Sequence, residues 1–147
     1  MGGHPYWYTV PYQPDIHKAL QELRQKEFQA GRYNPVTPIP EFPITASSPA
    51  PGPGHRDIDE ALQASDADGT RSILDISAIS ADPDYFSAAP LSDAALNSYF
   101  GTTQPSRAML DSNAPFLKNV KRGHAVYIVL YEDGIPVELY FAGYSFD

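Results

Sequence analysis

Near its carboxyl end the chain has two runs of apolar, β-branched and aromatic residues, separated by the dipeptide Asp133-Gly134. This dipeptide readily adopts the two positive φ angles that a two-residue hairpin turn requires. The pattern therefore predicts an antiparallel hairpin whose strands cover residues 124–132 and 135–143. No other feature of the sequence constrains the fold as tightly.

A two-residue turn at this dipeptide also predicts the register of the hairpin. Glu132 faces Ile135, and the remaining pairs follow by counting back along both strands. One face then carries Leu130 with Val137, Ile128 with Leu139, and Val126 with Phe141. The other face carries Tyr131 with Pro136, Val129 with Glu138, and Tyr127 with Tyr140. We expect the first face to be buried and the second to be rich in tyrosine, whose rigid apolar ring and polar tip suit a recognition surface.

The first thirty residues predict a strand followed by a helix. Residues 6–12 alternate aromatic and β-branched side chains between Pro5 and Pro11, and these prolines indicate an edge strand because proline cannot donate to a sheet ladder. Pro14 suits the first position of a helix, and Gly31 suits its carboxyl-terminal cap. An apolar stripe runs along this helix through Ile16, Ala19, Leu20 and Leu23.

A proline-rich loop is predicted at about residues 35–54, where seven prolines exclude regular structure. We expect its middle part to contact the body of the protein through Ile39, Phe42 and Ile44. The stretch from Thr45 to Gly54 has the composition of a flexible linker, so we expect it to be mobile.

Several short helical segments are predicted after this loop. One spans residues 57–64 with Asp57 as its cap, one begins at Ser92 and ends at Gly101, and a helix or pair of turns lies within residues 106–120. Residues 72–76 fit either a strand or a helical turn. The predicted fold class is α+β: a small antiparallel sheet, made of the N-terminal strand and the Asp-Gly hairpin, packed with several short helices on one face. We expect residues 1–147 to form a single domain.

Composition bears on partners and location. The formal net charge is −8, so the surface repels phosphate backbones and we expect no nucleic-acid partner. The chain has no cysteine, which excludes disulfides and thiolate chemistry. No signal peptide and no apolar stretch of membrane-spanning length is found, so we expect a soluble, cytoplasmic protein without a membrane partner.

The sequence contains no catalytic motif, and we expect neither a cofactor nor a metal. Asp66, Asp68, Gly69 and Asp75 resemble part of a calcium loop, but Ala64 occupies the first ligand position, where a carboxylate is needed. A capped turn is the better interpretation. Whether the chain is an enzyme stays open.

His124 is the one candidate for acid–base chemistry, with Glu138 as its possible partner. The predicted register places His124 opposite Gly143, which would leave space above the imidazole ring. The alternative is a histidine at a strand end that is hydrogen-bonded to the backbone.

The candidate binding residues are Trp7, Tyr127, Tyr131 and Tyr140. If they share an exposed sheet face, the protein is a small acidic binding module, such as an inhibitor or an immunity-type partner of another protein. If that face is covered by helices, the tyrosines are core residues. The alternative function is a small enzyme or small-molecule binder with a pocket near His124 and the aromatic cluster, and a third possibility is self-association.

Overall fold

A computed structural model of the chain describes residues 3–110 and 115–146. The strands are β1 (Pro5–Pro11), β2 (Ala78–Ile79), β3 (Ser87–Pro90), β4 (Ala125–Glu132) and β5 (Ile135–Tyr144). The α-helices are α1 (Ile16–Ala30), α2 (Ile58–Ser65) and α3 (Asp93–Phe100). Short 3-10 turns lie at Ile39–Glu41, Asp66–Asp68, Ile73–Asp75, Arg107–Leu110 and Pro115–Asn119.

These strands form one five-stranded mixed sheet in the order β1-β5-β4-β3-β2. β5 is antiparallel to both β1 and β4, whereas β3 is parallel to both β4 and β2. The predicted small antiparallel sheet is therefore wrong, although the fold is still broadly α+β. Sequence periodicity misses β2 and β3 because they are only two and four residues long, too short to show an alternating pattern.

The hairpin turn itself is confirmed. Asp133 and Gly134 have φ angles of 53° and 77°, the two positive values that the turn requires. The pairs next to the turn are also as predicted, with Glu132 opposite Ile135 and Tyr131 opposite Pro136.

Beyond these pairs the predicted register is wrong, because β5 contains a bulge. Leu130 pairs with Glu138, so Val137 has no partner on β4 and every later pair is displaced by one residue. The displaced pairs are Val129 with Leu139, Ile128 with Tyr140, Tyr127 with Phe141, and Val126 with Ala142. The bulge lies between the Tyr131–Pro136 and Leu130–Glu138 pairs, where one extra residue on β5 displaces every pair beyond it.

The displaced register removes the predicted tyrosine face. Tyr127 now packs against the core on the Phe141 side, whereas Tyr140 lies in the core on the opposite side. The first core is covered by α1, α2 and the turn at Ile73–Asp75, and the second by α3 and the turns that follow it. Helical segments therefore cover both faces of the sheet, not one.

The local predictions for helix ends are largely confirmed. Gly31 ends α1 with a φ of 76°, Asp57 caps α2, and α3 lies between Ser92 and Gly101. At the start of α1 the prediction needs a correction. Asp15, not Pro14, marks the boundary, since its Oδ1 accepts a hydrogen bond from the Lys18 N–H at 3.0 Å.

Within the proline-rich loop the predicted contacts are made unequally. Ile44 is buried, but Ile39 is half exposed. Farther along, the Gly52 N–H donates to the carbonyl oxygen of Ala30 at 3.1 Å, and the Gly54 N–H donates to the Tyr33 hydroxyl at 3.2 Å. The linker-like end of the loop is thus bonded to the residues around the end of α1.

In the described part of the chain, none of the helices has both the length and the apolar character needed to cross a membrane.

Candidate functional site

The outer edge of β1 is open in the described part of the chain. β5 pairs with one side of β1, and no described strand pairs with the other. The Tyr12 N–H donates to the carbonyl oxygen of Val137 at 3.0 Å, and the Ser145 N–H donates to the carbonyl oxygen of His4 at 3.0 Å. In both bonds the group on the β1 side belongs to an even-numbered residue, so the backbone N–H and C=O groups of even-numbered residues point toward β5. Since alternate residues of an antiparallel strand direct their backbone groups to opposite sides, the odd-numbered residues face outward.

This alternation explains why β1 tolerates a proline at each end. Pro5 and Pro11 are odd-numbered, so the N–H that each of them lacks would have pointed away from β5. The ladder to β5 therefore loses nothing. Within β1 the outward edge offers backbone N–H donors from Trp7 and Thr9, with carbonyl oxygens of the odd-numbered residues as acceptors.

A groove runs along this open edge, between β1 and α1. One cavity of about 220 Å³ is lined by residues 7–10 of β1, by Leu23, Lys26 and Glu27 of α1, and by Arg32, Thr45, Ala46 and Arg107. A second cavity of about 220 Å³ continues from Val10 to Gln13 beside the same helix. Both cavities are lined by Val10, Leu23 and Lys26, so they lie next to each other along β1, and we call the two together the β1 groove.

A buried ion pair fixes one wall of the β1 groove. Glu27 is almost fully buried, and the Arg32 Nη1 lies 3.2 Å from its Oε2. Burial raises the pKa of the Glu27 carboxyl, and Arg32 offsets part of that rise. The Arg32 Nη2 also donates to the carbonyl oxygen of Ala46 at 3.2 Å. The pair therefore ties the end of α1 to the loop at residues 45–46.

Two further cations line the groove and are accessible. Lys26 on α1 is exposed and has no ion-pair partner among the described residues. Arg107 lies across the groove, where its Nη1 is 3.1 Å from the Glu138 Oε2, and its side chain remains 66% exposed. Trp7, the one tryptophan of the chain, is also partly exposed at this edge.

A buried polar cluster lies beneath the sheet and holds the segment that contains Asp75. The Asp75 Oδ1 accepts hydrogen bonds from the Thr70 N–H at 2.9 Å and the Thr70 hydroxyl at 2.8 Å. Burial nevertheless raises the pKa of the Asp75 carboxyl. The Tyr8 hydroxyl accepts a hydrogen bond from the Ile73 N–H at 3.3 Å, and burial raises its pKa. These contacts connect β1 to the turn below it.

The side chain of Asp75 is thus buried and holds the turn at residues 70–75 through its hydrogen bonds with Thr70. Across residues 3–110 and 115–146, no three histidine or acidic side chains lie close enough together to hold a metal ion.

The structure does not bring His124 and Glu138 together. Ala125 pairs with Gly143, whereas Glu138 pairs with Leu130 near the other end of β4, so the two side chains lie about 20 Å apart along the strands at the usual rise per residue. The His124 Nδ1 lies 3.1 Å from the carbonyl oxygen of Arg122, and the ring packs on Tyr85 with a centroid distance of 4.6 Å. This is the backbone-bonded arrangement of a strand-end histidine.

The four predicted binding residues are also dispersed. Trp7 lines the β1 groove. Tyr127 contacts Phe141 at a ring distance of 6.1 Å, and Tyr140 contacts Phe116 on the other side of the sheet at 6.2 Å. Tyr131 is half-buried near the hairpin turn. Of the four, only Trp7 lines the groove.

Comparison with known proteins gives no relative for this arrangement. No protein-family model, no curated protein and no solved structure matches the chain. The functional interpretation therefore rests on the geometry of the β1 groove.

Sequence reasoning missed the groove's cations, Lys26, Arg32 and Arg107. They are separated by up to eighty-one positions along the chain, and nothing in their spacing relates them. One signal was present. Pro5 and Pro11 are six positions apart, an even number, so the N–H that each lacks falls on the same side of the predicted strand and marks that side as the open one.

Proposed function

We propose that this protein binds an extended segment of another protein, which adds to the sheet as a strand beside β1. The observation that carries the proposal is the outward direction of the Trp7 and Thr9 backbone groups into the β1 groove. Addition of a peptide strand to a sheet edge is a common recognition mode, in which main-chain hydrogen bonds supply affinity and side-chain pockets supply specificity.

The dimensions of the groove support this mode. From Trp7 to Gln13 it follows seven residues of the chain, or about 20 Å at the rise of an extended strand. A partner segment of roughly six residues fits that length. Its side chains would alternate between the α1 wall and the wall that carries Arg107.

The flanking prolines also support a defined partner. A long unprotected edge pairs with any available strand and promotes aggregation, and proteins restrict such edges with proline. In β1, Pro5 and Pro11 confine the outward N–H donors to Trp7 and Thr9. The binding module is thus suited to a short segment. Occupying such a segment is how an inhibitor or immunity-type protein of this size would act on its partner.

The experiment uses the full chain and a displayed library of random twelve-residue peptides. Selected peptides are synthesised and titrated while the fluorescence of Trp7 is followed, since this is the one tryptophan in the chain. We expect saturable binding with a blue shift of the emission, because a bound strand excludes water from the exposed part of the indole ring.

Thr9→Pro and Thr9→Val form the matched pair of variants. Thr9→Pro removes an outward N–H, as Pro5 and Pro11 already do at their own positions, whereas Thr9→Val keeps the N–H and the branched shape. We expect Thr9→Pro to abolish binding and Thr9→Val to retain it, with thermal unfolding showing that both variants fold. Peptides that bind Thr9→Pro as well as the wild type, or a library that yields no binder, would contradict strand addition.

A further inference from the structure

We infer that the segment received by the β1 groove is acidic, with two carboxylates that reach opposite walls. This inference rests on the function proposed above and names the chemistry of the partner. The chain as a whole has a net charge of −8. Among the residues that the structure describes, the part of the groove beside residues 7–10 reverses that sign, because Lys26, Arg32 and Arg107 line it against one carboxylate, that of Glu27.

The buried pair accounts for two of these charges. Glu27 and Arg32 neutralise each other at 3.2 Å, and their side chains are only 4% and 13% exposed. Lys26 and Arg107 therefore remain as the cations that a ligand can reach. Farther along the groove lies the carboxylate of Glu22, which accepts a hydrogen bond from the Gln13 amide at 2.7 Å. The places that bind the acidic residues of the ligand therefore lie at the other end of the groove, near Trp7.

The two available cations stand on opposite faces of the sheet. Lys26 belongs to α1, which covers the face that carries Leu139 and Phe141. Arg107 pairs with Glu138, which shares the opposite face with Tyr140 on the alternating β5 strand. The Arg107 side chain is 66% exposed and that of Glu138 is 26% exposed, so solvent reaches the pair, and pairs open to solvent are weak. A ligand carboxylate can therefore replace Glu138.

This placement predicts the spacing of the acidic residues in the partner. Successive side chains of a strand point to opposite faces. One carboxylate near Lys26 and one near Arg107 must therefore be separated by an odd number of positions, such as neighbouring residues or residues three apart. Acidic residues two apart would both face one wall.

The same charges disfavour a second copy of this chain as the occupant. Antiparallel pairing of two β1 edges would bring the cations of two grooves together, and like charges across an interface cost affinity. An acidic partner segment gains from those cations instead.

The test extends the peptide selection with charge variants. We expect the selected peptides to be enriched in Asp and Glu at odd spacing. Lys26→Glu and Arg107→Glu should each weaken these peptides by about tenfold. Lys18→Glu is the matched control, because Lys18 is exposed on the same helix and does not line the groove. The affinity of the Lys18→Glu protein for the selected peptides should equal that of the wild type. Replacing the acidic residue of the peptide that faces Lys26 with lysine should restore binding to the Lys26→Glu protein.

The outcomes separate this inference from the proposed function. Peptides that bind the wild type and Thr9→Val but not Thr9→Pro, with no acidic enrichment and no response to Lys26→Glu, overturn the acidic partner and leave strand addition standing. A library without binders overturns both. Light scattering that detects a dimer, lost in Thr9→Pro, identifies a second copy as the occupant and overturns the acidic partner as well.

Discussion

The backbone N–H of Tyr12 donates a hydrogen bond to the carbonyl oxygen of Val137 at 3.0 Å. Val137 is the bulged residue of β5, without a partner on β4. Val137 therefore takes part in two features of the sheet. It is the extra residue that displaces the register of the hairpin, and it accepts from an even-numbered residue of β1, whose odd-numbered residues then direct their backbone groups outward. The second feature directs the backbone groups of Trp7 and Thr9 into the β1 groove.

Hydrogen exchange of the free protein tests that alternation. We expect the amide protons of Trp7 and Thr9 to exchange rapidly, because no backbone carbonyl of the described residues accepts from them. The amide protons of Tyr8 and Val10, which face β5, should be protected. Residue-resolved exchange measured by NMR distinguishes the two sets. Slow exchange at Thr9 together with fast exchange at Tyr8 would mean that the opposite set of groups faces outward.

Double-mutant cycles test the bulge. Tyr127 and Phe141 are paired and their rings lie 6.1 Å apart, so Tyr127→Leu and Phe141→Leu should show a coupling energy of about 0.5–1.5 kcal/mol. The cycle of Tyr127→Leu with Tyr140→Leu should show coupling near zero, since these side chains lie on opposite faces. Urea denaturation of the single and double variants measures both. Strong coupling of Tyr127 to Tyr140 would show that these two residues are paired, as in a hairpin without the bulge.

The buried carboxyl of Asp75 should make stability depend on pH. Its pKa in the folded protein is raised above the reference value of 3.8, chiefly by burial. The folded state therefore holds the proton more tightly than the unfolded state, and the free energy of unfolding falls as pH rises from about 4 through the folded pKa. Asp75→Asn keeps an oxygen for Thr70 but cannot ionise. The stability advantage of the wild type over this variant should be greatest in acid and shrink as pH rises.

Asp82→Asn is the control for that measurement, because Asp82 is exposed. Comparison with the difference between the wild type and Asp82→Asn separates the effect of the buried position of Asp75 from the general effect of removing one carboxylate. If the advantage over Asp75→Asn instead grows with pH, the carboxylate form of Asp75 is the stabilised one, and the hydrogen bonds from Thr70 outweigh the effect of burial on its pKa.

Gly69 is expected to be intolerant of a side chain. Its φ of 71° and ψ of 172° lie in a region that is essentially restricted to glycine, and an added Cβ would lie 2.6 Å from the Phe146 ring. Gly69→Ala should therefore destabilise the protein by about 2–4 kcal/mol. Gly101→Ala is the comparison, since Gly101 also has a positive φ but no atom of the described residues lies within 4 Å of the added Cβ. Its cost should be about 1 kcal/mol. Equal costs in thermal or urea unfolding would show that Phe146 does not pack on Gly69.

Features that depend on neighbouring residues were predictable from the sequence. Asp133-Gly134 forms its turn, Gly31 and Gly101 end their helices, and β1 lies at the edge of the sheet. Each of these follows from a backbone preference or a missing N–H that acts within a few residues. For the candidate site, the same kind of reasoning placed the two prolines of β1 at a sheet edge. Trp7 was predicted as a binding residue of a tyrosine-rich face that does not form, and its role in binding stays a prediction.

The tertiary structure alone decided the rest, because the deciding contacts join distant residues. The bulge at Val137 accompanies a hydrogen bond to Tyr12, and the short strands exist only through pairing, β3 with β4 and β2 with β3. The charges of the β1 groove come together because α1 and the turn at Arg107–Leu110 meet the same strand edge. Sequence spacing contains no record of such contacts, since one displaced residue in a ladder exchanges the two faces of a strand. That displacement placed Tyr127 and Tyr140 in two cores and left the edge of β1, not a sheet face, as the proposed recognition surface.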